Sequence, residues 1–317
     1  MTEPVESARI VDLGHSVHQV DTLMSGYSGI TSAFLIRDER PCLIETGTAT
    51  SAHIVRDALS QLGIGPRDLE TIVVTHIHLD HAGGVGDLAG MFPKANIVVH
   101  ELGARHLTDP TRLLTSARRV FGSVLDDVFG VLTPTESDRI IPIGERGAVE
   151  LGGGRRLELF HAPGHAQHHL GMIDSVSGDL YVWDAAGIYI PDTDTVRPAT
   201  PPPDFDLDLA LASLRRFRDA TPTRLLFSHF GAVGEVEETL SRSEVELQLW
   251  VEIVRDARRE APDTDHALEM VRQRTADRYR DFLADDELQE KFGHLNADVS
   301  NVVGINRWLD RVDSKSH

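Results

Sequence analysis

The chain runs to 317 residues, 41% of them apolar, which is enough for a sizeable core and excludes general disorder. Fifty acidic residues against 31 basic ones give a formal charge of −19, a surface that repels phosphate backbones and excludes a broad nucleic-acid-binding face. The single cysteine, Cys42, excludes a disulfide framework and any cysteine-rich zinc module.

At roughly 150 residues per domain, the length predicts about two domains, or one large domain with an appendage. The N-terminal stretch MTEPVESAR is acidic and lacks the apolar segment of a secretory leader. The sequence has no apolar run of about 18 residues, so a membrane span is not expected and a cytoplasmic location is. From the N-terminal side, Ile30–Arg37 and Cys42–Glu45 are short apolar runs broken by a polar turn, a hairpin pattern. Ile54, Val55, Ala58, Leu59 and Leu62 recur at helical spacing, and Gly63 ends that helix. Thr71–Thr75 is an unbroken β-branched run suited to a strand buried on both faces, and Ile97–Val99 is another. A short helix fits Gly83–Phe92 between them, stopped by Pro93. From Glu101 to Asp138 the pattern is irregular and helical, carries Arg105, Arg112, Arg118 and Arg119, and reads as a lobe laid over the sheet.

Strands resume at Arg155–His161, His169–Asp174 and Asp179–Trp183, the last two joined by a Ser177-Gly178 turn. A Pro-rich loop, a helix over Leu207–Ala220 and a strand Arg224–Ser228 follow. After Gly234 the chain is charged and helix-periodic, with a helix over Val236–Glu260 and a last short one over Asn301–Val312. Two successive halves of strands with crossover helices, then a helical tail, predict a layered α/β fold. The expected division is a catalytic domain over 1–234 and a C-terminal helical region over 235–317.

Histidine is over-represented, at 16 residues, and four chemistry-bearing side chains crowd into Thr75-His76-Ile77-His78-Leu79-Asp80-His81. In an extended segment residues i and i+2 point the same way, so His76 and His78 converge just past the buried strand. Asp80 and His81 follow as the chain turns toward Gly83-Gly84. Such a set suits two adjacent divalent metals. His165, Asp184 and His229 each fall at or beyond the C-terminal end of a predicted strand, the edge where open α/β sheets bind ligands. Burying so many imidazoles and carboxylates at one edge is costly without a cation to satisfy them.

This constellation resembles the metallo-β-lactamase-fold hydrolase superfamily over roughly Ile10 to Gly231. The resemblance implies a four-layer αββα sandwich with a C-terminal helical extension and a dinuclear site at one edge. It implies that His76, His78 and His165 hold one metal, that Asp80, His81 and His229 hold the second, and that Asp184 bridges both. True β-lactamases of the superfamily lack a carboxylate matching Asp184. Glyoxalase II-like thioesterases and lactonases of acyl-homoserine type share the full set, and the chain looks most like the glyoxalase II-like hydrolases of prokaryotes. Glu45, in Leu43-Ile44-Glu45-Thr46-Gly47, stands where the superfamily usually has Asp, and is expected to brace the metal-binding loop. Lactonases often place a Tyr soon after the bridging Asp; here Tyr189 comes five residues later.

The implied reaction is hydrolysis of a small ester, thioester or lactone by a metal-bridging hydroxide, with Asp80 as the catalytic carboxylate. Two divalent ions are expected as cofactors, zinc first by availability, with iron or manganese fitting the same ligands. Tyr27 and Tyr189 are candidates for lining the substrate pocket, and His169, with His161 and His168, for orienting the metal-binding imidazoles. Competing readings are a phosphodiesterase, a persulfide dioxygenase with one iron, and a scaffold that kept the fold without catalysis. A small molecule is the expected partner, with no nucleic acid or membrane, and the helical tail is compatible with a homodimer. The tail is expected to close the substrate pocket.

Overall fold

The structure is a computed structural model that describes residues 8–261, 263–295 and 297–315. The first seven residues, on which most of the leader argument rests, lie outside it.

Seven strands form the first sheet in chain order: β1 (Ile10–Asp12), β2 (Val17–Asp21), β3 (Ser32–Ile36), β4 (Cys42–Ile44), β5 (Thr71–Val73), β6 (Asn96–His100) and β7 (Ile140–Ile143). The first four pair antiparallel, and β4 through β7 run parallel. The parallel half needs crossovers, which α1 (Ala52–Gln61), the short α2 (Leu79–Ala82) and α3 (Val85–Met91) supply. Between β6 and β7 the chain makes the predicted lobe: α4 (Glu101–Thr108), α5 (Thr111–Phe121) and α6 (Leu125–Val128).

The second sheet begins with β8 (Arg146–Gly152), β9 (Arg155–His161), β10 (Leu170–Asp174) and β11 (Asp179–Tyr181). A separate hairpin, β12 (Ile188–Ile190) with β13 (Thr195–Arg197), leads to α7 (Leu207–Asp219). Strands β14 (Arg224–Phe227) and β15 (Gly231–Val233) complete the sheet in the order β15-β14-β11-β10-β9-β8, with only β11 and β14 parallel. The C-terminal part is all helix: α8 (Val236–Glu260), α9 (Thr264–Thr275), α10 (Arg280–Leu283), α11 (Asp286–Gly293) and α12 (Ala297–Lys315).

Side-chain alternation along the strands builds the layers. Ala33 and Leu35 of β3 point to the cluster under α1 and α3, while Phe34 and Ile36 point to the other sheet. On the second sheet Leu226 and Tyr181 face the first sheet, whereas Leu225, Phe227 and Leu180 face α7 and the C-terminal helices. Three apolar clusters therefore fill three interfaces between four layers, helices–sheet–sheet–helices. Cys42 lies in the middle interface, where burial pushes its thiol up to about 12, so it is a packing residue and not a nucleophile.

Two backbone hydrogen bonds join the sheets along one edge. Leu170 N donates to Thr75 O at 2.9 Å, and Ser32 N donates to Ser228 O at 2.9 Å. These contacts bring the end of β5 and the end of β14 to the same rim. At the far end of the strands, Arg155 bonds Asp174 within its own sheet and reaches across to His15 O at 2.7 Å and Asp38 at 3.1 Å. No helix is long and apolar enough to cross a membrane among the described residues.

The expected elements are present, with two kinds of difference. The last helix is longer than predicted, 19 residues from Ala297. Strands β1, β2, β7, β8, β12, β13 and β15 were not predicted; several are three or four residues long, too short to display a period-two pattern.

Candidate metal centre

His76 leaves β5 in extended backbone, and its Nδ1 lies 2.9 Å from Thr75 Oγ1. His78 then caps the one-turn α2, and its carbonyl accepts from Ala82 N at 2.8 Å. Asp80 and His81 sit on that turn, so the extended half of the motif supplies two imidazoles and the helical half supplies a carboxylate and a third. Gly83 permits the turn: a Cβ there would meet Leu79 O at 2.1 Å and Ala49 N at 2.9 Å. The Glu45-Thr46 loop grips the turn from below, as Thr46 N and Oγ1 both donate to His81 O, at 2.9 and 2.7 Å.

The seven predicted ligands come together. His76, His78 and His165 form one group of donor atoms, and Asp80, His81 and His229 form another; within each, the atoms lie within 4.8 Å of one another. Asp184 stands between them. Its Oδ2 is 3.5 Å from His165 Nε2, and its Oδ1 is 3.4 Å from His81 Nε2 and 3.6 Å from His229 Nε2. Trp183, just before it, holds a left-handed φ of 45°, as Glu45 does at 66°, a conformation costing on the order of 1 kcal/mol or more for a side chain with a Cβ. Both special positions aim a carboxylate at the centre.

The imidazoles are oriented from behind. His165 Nδ1 donates to Ala199 O at 3.0 Å and His229 Nδ1 donates to Ile30 O at 2.7 Å, which leaves each Nε2 facing the cluster. Glu45 Oε1 accepts from Thr75 N at 2.6 Å, and its other oxygen lies 2.9 Å from His81 Nδ1. The longer acid thus spans the end of β5 and the ring of His81. His169 is fully buried, and its ring lies 27° from parallel to His76 at 5.0 Å between centroids. His168 sits beside the cluster, and its Nε2 is 4.0 Å from Asp204. His161 turns away, bonding Gln167 O at 2.7 Å and stacking on His100.

The electrostatics are those of a cation site. Burial holds His76, His169 and, to about 4, His165 below the ordinary imidazole range, so these rings are neutral donors of a lone pair. For Asp184 burial alone would raise the pKa, but the charges of His81, His229 and His165 outweigh it and hold the carboxylate ionised. Asp80 is held down in the same way by His81 and His229. For His81 the order reverses: burial favours the neutral ring, and Asp80, Asp184 and Glu45 outweigh it and push the pKa well up. His76 Nε2, His81 Nε2 and Asp184 Oδ1 are buried with no hydrogen-bond partner. Orphaned lone pairs and unbalanced carboxylates facing one point fit divalent cations.

A family model of the metallo-β-lactamase superfamily matches residues 26–229. The chain belongs to the metallo-β-lactamase superfamily. It is similar to a metallo-β-lactamase fold-containing protein of Sulfurisphaera tokodaii, 32% identical over 190 residues that cover 57% of this chain and 70% of that one. The crystal structure of that archaeal protein aligns with a TM-score of 0.61 at 26% identity, covering 75% of this chain and 86% of the other. A probable metallo-hydrolase of Methanocaldococcus jannaschii is 24% identical over 178 residues, 55% of this chain and 79% of its own length. A subclass B3 metallo-β-lactamase from a soil metagenome library shares the fold, with a TM-score of 0.55 at 18% identity over 78% of this chain and 96% of that one. The superfamily is metal-dependent and hydrolase-like, and this chain carries a His/Asp cluster with the donor atoms to bind metal.

The cluster opens into a cavity of about 590 Å³ lined by His78, Asp80, His165, Asp184 and His229 at its base. Neither of the two candidate phenols lines it; both rings pack elsewhere. Tyr27 OH donates to Glu290 at 3.0 Å and its ring lies against His294. Tyr189 packs on Phe227, and its backbone pairs with that of His229. The sequence placed these tyrosines near the site in register but could not show that their rings point elsewhere.

One residue at the site went unread in the sequence. Asn301 of α12 is buried; its Oδ1 accepts from Thr200 N and its Nδ2 donates to Pro198 O, both at 2.7 Å. It therefore brackets Ala199, whose carbonyl holds His165. No local pattern marks an asparagine as the clamp of a loop a hundred residues away.

Proposed function

We propose that the chain is a dinuclear metal-dependent hydrolase of a small ester, thioester or lactone, of the glyoxalase II-like branch. The observation that carries this reading is the place of Asp184, with one oxygen toward His165 and the other toward His81 and His229. His76, His78 and His165 would hold one ion, Asp80, His81 and His229 the second, and Asp184 both, with zinc first by availability. Divalent ions there supply, when bound, a water-derived nucleophile at neutral pH and Lewis-acid polarisation of a carbonyl.

The chain's own residues do the rest. Asp80 reaches the cavity, with its Oδ2 3.3 Å from His229 Nε2, and is placed to accept a hydrogen bond from the attacking water and orient it. The carbonyls of Ala199 and Ile30 fix the tautomers of His165 and His229.

The test is elemental analysis of purified protein together with turnover on thioesters, lactones, esters and phosphodiesters. About two equivalents of zinc, iron or manganese and hydrolysis of an acyl compound are expected. A trace of metal after supplemented growth, or turnover of phosphodiesters alone, would overturn the reading.

A further inference from the structure

The cavity is larger than a scissile bond requires, and its outer wall is unusual. Helix α5 carries an apolar stripe, yet none of its residues is fully buried. Leu113, Ala117, Val120 and Phe121 line the cavity, and Leu102 of α4 lines it too. Val120 keeps 42% of its surface exposed and Leu102 keeps 47%. An amphipathic helix ordinarily buries such a stripe in the core. Here Leu113, Ala117 and Phe121 pack on the first-sheet core with part of their surface. The rest of it, with Val120 and Leu102, borders a space continuous with the metal ligands, which an apolar occupant would cover.

The same cavity carries two guanidinium groups, on Arg105 and Arg112. Arg105 Nε donates to His106 Nε2 at 3.2 Å, and neither arginine forms an ion pair with a carboxylate among the described residues. In a chain of net charge −19, unpaired arginines beside a pocket are notable, since acidic partners abound. The cavity's acids outside the metal cluster are Glu101 and Asp204, and Asp204 already accepts from Gln167 at 3.1 Å. Burial, then Arg105 and Arg112, hold His106 below its ordinary range, which agrees with a positive potential at that rim.

We infer that the substrate is an amphiphilic acyl ester or thioester, its apolar acyl chain lying along α5 and its carboxylate or phosphate group meeting Arg105 and Arg112. The inference rests on the hydrolase reading and narrows its substrate class. For a thioester, water oxygen bonds to the acyl carbon, the carbon–sulfur bond breaks, and a carboxylate, a thiol and one proton leave.

The experiment uses the full-length, metal-loaded protein and thioesters of acetyl to decanoyl chains. Each is built on a thiol bearing a carboxylate, a phosphate or a neutral hydroxyl. The expected kcat/KM rises roughly two- to fourfold per added methylene until the cavity is full. The anionic series exceeds the neutral one by about tenfold, and Arg105→Ala/Arg112→Ala lowers that ratio by about tenfold. Comparing the carboxylate and phosphate arms shows which anion the site takes. Hydrolysis that ignores chain length, or an anion preference that survives in the double variant, overturns the inference while leaving the hydrolase reading intact. The uncleavable decyl thioether of the carboxylate thiol, titrated by calorimetry, separates the two. If it binds, and binds more weakly to the double variant, while no thioester is cleaved, the substrate class stands and the hydrolase reading fails. If it does not bind, the inference is wrong.

Discussion

Glu45 and Asp184 are two acids with different tasks, and single substitutions separate them. Glu45→Gln keeps an oxygen for Thr75 N but removes the charge beside His81 Nδ1. Losing such a partner of a metal-binding imidazole typically costs about 10- to 100-fold in metal affinity, so weaker retention against a chelator is expected, with the fold retained by circular dichroism. Asp184→Ala should lose about half of the bound metal and most turnover, with elemental analysis as the check; a variant with full metal content and unchanged turnover would make Asp184 only a turn residue. The ligand types and Glu45 were legible in the sequence because they fall in a tight motif or at strand ends. The orientation of Tyr27 and Tyr189 was not, since a side chain's direction depends on what packs against it.

At the scale of elements, α12 decides more than its distance in sequence suggests. Gly304 lies so close to Thr200 that a Cβ would meet its carbonyl oxygen at 1.9 Å, and this closeness lets Asn301 reach the Pro198–Thr200 loop. Asn301→Ala leaves Thr200 N and Pro198 O without their buried partners, at a cost of about 1–3 kcal/mol. The released Ala199 carbonyl no longer fixes His165, so metal loss to a chelator should speed up along with the fall in melting temperature. A melting shift with unchanged metal retention would restrict Asn301 to a structural role. The Asn301–Val312 pattern predicted a helix; its early start at Ala297, which brings Ala297 and Ser300 to the cavity beside Asn301, came only with the packed structure.

Across the whole molecule, the C-terminal helices share one apolar cluster with the second sheet, which holds Leu225 and Phe227 together with Leu240, Trp250, Val254, Ile305 and Trp308. Truncation after Gly234 therefore strips most of one outer layer from the sandwich and leaves only α7 on that face of the second sheet. The expected product is insoluble or aggregated protein, checked by solubility and gel filtration; a soluble, metal-loaded truncation would show that the sandwich stands without it. At the opposite end of the strands, buried Arg155 neutralises Asp174 and ties the sheets together. Burial would raise the Asp174 pKa, but the Arg155 hydrogen bond and the other donors outweigh it and hold it low. A carboxyl lowered in the folded state stabilises fully above its unfolded pKa of about 3.9 and loses that stabilisation as pH falls through its folded value. Arg155→Met should cost about 3 kcal/mol at pH 7, because it strands a buried carboxylate. In denaturant melts followed across pH, the deficit should shrink as acid protonates Asp174; a constant deficit would assign the loss to packing alone.

The sequence by itself determined the layered α/β fold, the helical tail and the His and Asp side chains that the fold brings together. Hydrophobic period and motif spacing are local properties, and a dense His/Asp motif is costly to bury unless it binds a cation. Only the tertiary structure decided how the cluster is completed and what surrounds it. Asp184 between two donor groups, Asn301 behind His165, and α5 over the cavity with Arg105 and Arg112 at its edge are all contacts between residues far apart in the chain. Such contacts depend on how layers stack, and stacking is set by the complementarity of whole faces, which no short stretch of sequence contains.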